Sequence, residues 1–93
     1  MANDLDLLRQ EIDKIDEELM QLFIKRMKIA EEIAHHKFEN NLKIENKNRE
    51  DEIKEKIKNH PIYVVKKYYE SVAISLIKVS KKYQDDLIKS SFK

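Results

Sequence analysis

The sequence contains no cysteine, no glycine and a single proline. Without cysteine there is no disulfide framework and no thiolate metal site. Without glycine, and with proline confined to Pro61, the chain has almost no punctuation, which suits long helices joined by few turns. Neither sign of charge dominates: 19 Lys and Arg stand against 18 Asp and Glu, a formal +1. No global field therefore points to nucleic acid or to an anionic membrane. No apolar run approaches the roughly 20 residues needed to span a bilayer. The opening Met1-Ala2-Asn3-Asp4-Leu5-Asp6 lacks the basic start and apolar core of a signal peptide. The expectation is a cytoplasmic protein with no membrane contact. Its 93 residues make one domain, near the size at which a single chain struggles to bury an adequate core alone.

What the chain does have is a long apolar stripe with one exception. Leu5, Leu8, Ile12, Ile15, Leu19, Leu22, Arg26, Ile29 and Ile33 follow one another at alternating steps of three and four. Such a 3-4 repeat marks a helix whose apolar seam faces another helix. Arginine at position 26 interrupts it. A guanidinium does not lose its proton, so its place in the seam costs desolvation unless an anion meets it. Either the protein supplies a carboxylate or the site awaits an anionic ligand.

The pattern predicts an all-α chain of three helices: a long first, a short second and a long third. The first runs from about Asn3 or Asp4, a plausible N-cap, to Lys37 or Phe38. It is about 50 Å long, whereas a compact domain of this size has a radius of gyration of only about 12 Å. The helix therefore overhangs any globule its own chain can build, and a second copy is the simplest partner for its stripe. Glu39-Asn40-Asn41-Leu42-Lys43 forms a polar connection. The second helix runs from Asn46 or Asn48 to Asn59 with Ile53 and Ile57 facing inward, and Pro61 prevents its continuation. The third covers Ile62 to Ser90. Val65, Tyr69, Val72, Leu76, Val79, Tyr83 and Leu87 line one side, widened by Ala73, Ile77 and Ile88. No strand pattern, internal repeat or second domain is present, and the Lys/Glu-rich runs read as solvated helix faces.

Several polar residues stand out from this frame. Lys37 lies eleven residues beyond Arg26, within about 20° of the same face and roughly 16 Å along the axis. Two long cationic side chains can converge on a small dianion between them. Ser80 and Gln84, an i, i+4 pair, extend the row of Ala73 and Ile77 and bring two uncharged hydrogen-bonding groups onto a mostly apolar face. Arg49 and Glu50 open the second helix. Each has a plain structural explanation. Arg26 can snorkel or pair with a neighbouring glutamate. Lys37 suits a helix C-terminus, Glu50 suits a first turn, and Asn46 suits an N-cap. Ser80 and Gln84 fit as tolerated half-buried polar groups. The combination is more specific than its members.

The segments Leu8-Arg9-x-x-Ile12-Asp13-x-Ile15-Asp16-x-x-Leu19-x-x-Leu22-x-x-x-Arg26, Ile33-Ala34-x-x-Lys37, Ile44, Arg49-Glu50 and Ser80-x-x-x-Gln84 together resemble the all-helical chorismate mutases. The resemblance covers essentially the whole chain, as one mutase domain over residues 1–93. It implies conversion of chorismate to prephenate, on the way to phenylalanine and tyrosine, by an intertwined homodimer that uses no cofactor or metal. Arg26 and Arg9 would bind the substrate's carboxylates, with Ser80 assisting at one of them. Lys37 and Gln84 would donate to the ether oxygen. Glu50 would accept from the ring hydroxyl, aided by backbone at position 46, and Arg49 would support this cluster. Asn46 is a departure, because the family usually has aspartate there. No fused dehydratase, dehydrogenase or synthase domain is expected in these residues.

The reaction explains why such residues suffice. It is a unimolecular rearrangement in which one C–O bond breaks as a C–C bond forms. Catalysis comes from holding the folded conformer and from stabilising negative charge that grows on the ether oxygen. No histidine is required, so His35, His36 and His60 read as surface residues. Arg9 lies about 25 Å from Arg26 and about 42 Å from Lys37 along one helix. If it touches the same small substrate, it does so in trans, from the second protomer. Three other readings compete: isochorismate pyruvate lyase on the same scaffold, a non-catalytic helical dimerisation module, and a nucleic-acid-binding helical dimer. The near-zero net charge and lack of a basic stripe weigh against the last.

Overall fold

A computed structural model describes residues 3–90. The first two residues of the opening read for a signal peptide, and the last three of the expected domain, lie outside that range. Three α-helices follow in order: α1 (Asp4–Glu39), α2 (Lys47–Lys58) and α3 (Glu70–Ser90), with a π-helical turn at Val65–Tyr69 leading into α3. Among the described residues there is no strand, and no helix is long and apolar enough to cross a membrane.

Local chemistry explains the helix ends. Asn3 accepts a hydrogen bond on Oδ1 from the Asp6 amide at 2.7 Å, and Asp4 and Asp6 place negative charge in the first turn. Asn40 caps the far end of α1, and Asn41 takes φ 55°, the left-handed conformation that asparagine tolerates where glycine is lacking. Asn46 Oδ1 accepts from the Arg49 amide at 3.1 Å and so starts α2. Asn59 stops it ahead of Pro61. His60 is half-buried rather than a plain surface residue, because its Nδ1 accepts from the Ile62 amide at 3.1 Å and holds the turn into the third helical segment.

The third segment differs from the sequence expectation in two ways. It is not uniformly α-helical from Ile62, since Val65–Tyr69 widens to i→i+5 bonding. Its inward face is also rotated from the expected one. Ala73, Ile77 and Gln84 are buried, whereas Val72 and Val79 remain 50% and 42% exposed. The small side chain of Ala73 lets this row approach α1, where Ala30 and Ala34 are likewise buried. Of the bulkier row that periodicity selected, Tyr69, Val72 and Val79 are exposed, whereas Val65, Leu76, Tyr83 and Leu87 are half-buried.

The assembly is thin, with extents of 57 × 31 × 14 Å and a radius of gyration of 17.2 Å. The chain is thus elongated and thin rather than globular for its length. Among the described residues the buried apolar core is Ala30, Ala34, Ile57, Ala73 and Ile77. The N-terminal half of α1 is exposed at every position. Leu5, Leu8, Ile12, Ile15, Leu19 and Leu22 are 51–59% exposed.

Candidate active site

Where α1 leaves this bare stretch and meets α2 and α3, the three helices enclose a cavity of about 460 Å³. That size lies within the range of small-molecule sites. Arg26 and Lys37 enter from α1, Asn46 and Glu50 from the start of α2, and Ser80, Lys81 and Gln84 from α3. Ile29, Ile33, Ile44, Ile53 and Ile77 supply apolar walls. The spacing of eleven between Arg26 and Lys37 keeps both on the cavity side of one straight helix.

The arginine in the stripe has no anion of its own. Arg26 Nη1 donates to the Leu76 carbonyl at 3.5 Å, and among the described residues no carboxylate oxygen lies within salt-bridge distance of it. Of the two possibilities open from sequence, a carboxylate supplied by this chain is not found at Arg26 among the described residues. Lys37 likewise has no carboxylate in contact, and its ammonium donates to the Ile44 carbonyl. Burial lowers its pKa from the ordinary lysine value, and the nearby negative charge of Glu50 partly opposes this. Four cationic residues, Arg26, Lys37, Arg49 and Lys81, thus line a cavity with one acidic residue, Glu50.

Gln84 is 5% exposed. Its Nε2 donates to Ser80 Oγ at 3.0 Å, while Oε1 is buried without a partner. A half-turn of the amide lets the Ser80 hydroxyl donate to Oε1 and frees the N–H groups for the cavity. A buried polar atom left without a partner is costly.

The structure brings seven of the eight expected site residues to one cavity: Arg26, Lys37, Asn46, Arg49, Glu50, Ser80 and Gln84. Asn46 acts through its cap to the Arg49 amide. The Arg49 guanidinium turns outward, where it pairs with Glu52 at 3.0 Å with both side chains exposed. Arg9 is not brought to the cavity. It projects from the exposed half of α1, about 25 Å from Arg26 along the axis. Sequence reasoning passed over Lys81, whose Nζ lies 3.3 Å from Glu50 Oε2 and 3.7 Å from Glu45 Oε1. The signal available was its position beside Ser80, on the helix edge between the buried row and solvent.

Residues 8–85 match the family described as chorismate mutase type II. The chain belongs to this family. A stretch of 54 residues is 48% identical to a bifunctional chorismate mutase/prephenate dehydratase of Aquifex aeolicus (strain VF5). The matched stretch covers 58% of this chain and 15% of that protein, so the similarity concerns a small part of the relative's length. No solved structure matches. The family match spans all three helices and takes in Arg9 at one end and Gln84 at the other. It also includes most of the bare half of α1, so the exposed stripe from Leu8 onward lies within the matched region.

Proposed function

We propose that this domain converts chorismate to prephenate, and that it does so as a homodimer of one-domain protomers. The observation that carries the reading is Arg26. An arginine in an apolar helical seam, with no carboxylate of its own, faces a cavity shared with Lys37 and the underused amide of Gln84. That donor set suits a small dianion whose reaction needs restraint and one stabilised oxygen, without nucleophile, metal or redox group.

Arg26 binds a carboxylate through its planar fork, an arrangement stronger and more directional than a single hydrogen bond. Lys37 donates to the ether oxygen, where charge builds as the C–O bond breaks ahead of C–C bond formation. Gln84 donates to the same oxygen once its amide turns its N–H groups inward, and Ser80 holds that orientation or reaches the neighbouring carboxylate. Glu50 accepts from the ring hydroxyl, beside the backbone at Asn46. These contacts select the folded conformer of a flexible molecule and stabilise its transition state.

The second carboxylate is met by Arg9 of the other protomer. The thin, elongated shape and the exposed stripe from Leu5 to Leu22 support this arrangement, because a second copy covers that stripe and carries Arg9 across to the cavity. Dimerisation and completion of the site are then one event. The test is loss of chorismate absorbance with prephenate identified as product. Saturable conversion that disappears in Arg26→Ala is the expected result. Release of pyruvate from isochorismate, with chorismate left untouched, would overturn the reading in favour of a lyase.

A further inference from the structure

Lys81 is the cavity residue with no role in this scheme, and its surroundings are unlike those of its neighbour. Lys82 is exposed and pairs with Asp86 on its own helix at 3.0 Å. Lys81 instead reaches from α3 to the start of α2, across 31 positions of sequence, to meet Glu50 Oε2 at 3.3 Å. The pair is sheltered, with side chains 32% and 19% exposed, and both residues line the cavity. A weaker contact to Glu45 Oε1 at 3.7 Å ties the same ammonium to the segment just before the Asn46 cap.

A glutamate carboxylate rotates freely about its last torsion. Held at Oε2, it is left with Oε1 as the acceptor for a ligand. Lys37 cannot supply this restraint, because its ammonium is committed to the Ile44 carbonyl and to the cavity. Arg49 cannot either, because its guanidinium is taken by Glu52.

We propose that Lys81 is a positioning residue, whose ammonium fixes the Glu50 carboxylate at the cavity wall so that its free oxygen accepts the hydroxyl of the substrate ring. Lys81 thereby sets recognition of that hydroxyl without touching the substrate. The proposal rests on the mutase reading. It also predicts an effect confined to one substituent, since no bond to the hydroxyl breaks or forms in the rearrangement.

The experiment compares kcat/KM for chorismate with that for an analogue lacking the ring hydroxyl, in the wild-type chain and in Lys81→Met, Lys81→Arg and Lys82→Met. The expected result is that Lys81→Met lowers the ratio of the two values about tenfold, Lys81→Arg restores most of it, and Lys82→Met leaves it unchanged. In a Glu50→Gln background, Lys81→Met has no further effect on the ratio. Should Lys81→Met fail to fold, as judged by circular dichroism, Lys81→Gln carries the same comparison. Equal losses on both substrates would mark Lys81 as a structural strut and overturn the proposal, as would an unchanged ratio. A wild-type chain inactive on chorismate overturns the mutase reading itself, and that outcome is distinguished by being visible before any variant is made.

Discussion

Truncating Leu19 tests the dimer and the completed site together. Leu19 sits near the inner end of the bare half of α1 and is 57% exposed. Fully burying a leucine contributes about 1.5–3 kcal/mol, so covering this one adds a little over half of that, about 1–1.5 kcal/mol per copy. A two-fold interface counts each substitution twice. Leu19→Ala therefore weakens association by about 2–3 kcal/mol, a rise of about 30- to 150-fold in dimer Kd. Alanine is the best helix former, so α1 itself is preserved. The assay is sedimentation across a protein dilution series, with specific activity measured on the same samples. The midpoint of dissociation and the loss of turnover should move together to higher concentration. Lys14→Ala, off the stripe on the same helix, should move neither. A Leu19→Ala chain that dissociates like the wild type, or a monomer as active as the dimer, refutes the reasoning.

Lys37→Ala should lower kcat/KM by about 100- to 1,000-fold, the usual cost of removing a donor from a developing oxyanion, while sedimentation shows an unchanged dimer. Because burial lowers the Lys37 pKa below its ordinary 10.5, turnover should fall on the alkaline side before an ordinary lysine would titrate. Over that window the folded chain holds fewer protons than the unfolded chain, so the contribution of Lys37 to stability rises with pH. Activity and the Lys37-linked part of stability should thus move in opposite directions, which a pH series of melts and rates separates from alkaline unfolding. Gln84→Glu should be active only in acid, where a protonated carboxyl still donates to the ether oxygen, and inactive once ionised; a flat pH–rate profile contradicts the assignment. Asn46→Ala should cost about 1 kcal/mol through loss of the α2 cap, seen by chemical denaturation. Asn46→Asp should keep both the cap and kcat/KM, since the Arg49 guanidinium is already satisfied by Glu52.

Much of this was legible from the residues because it depends on spacing along single helices. The 3-4 repeat located α1 to within two residues at its far end, asparagines marked its start and both ends of α2, and the interval from Arg26 to Lys37 put both on one face. The i, i+4 pair Ser80 and Gln84 was visible in the same way. What periodicity could not decide is which side of an amphipathic helix meets which neighbour. The third helix carries two adjacent apolar rows, and the choice between them turns on the small side chains of Ala30, Ala34 and Ala73, a matter of close approach between elements. Lys81 escaped notice because its partner is on another helix and its own tract reads as a solvated lysine pair. The outward turn of Arg49 depended on Glu52, one of several glutamates that sequence does not distinguish.

The π-helical turn at Val65–Tyr69 gives the third segment an unusual tolerance. Such a turn holds one residue more than an α-helix would over the same rise. Deleting a single residue within it should restore regular i→i+4 bonding and leave everything downstream in register, with Ser80, Lys81 and Gln84 still aimed into the cavity. The same deletion two turns later would swing those three side chains by about 100° and destroy the site. The joint between α2 and α3 can therefore change length across descendants of this chain, while the cavity-lining face beyond it cannot.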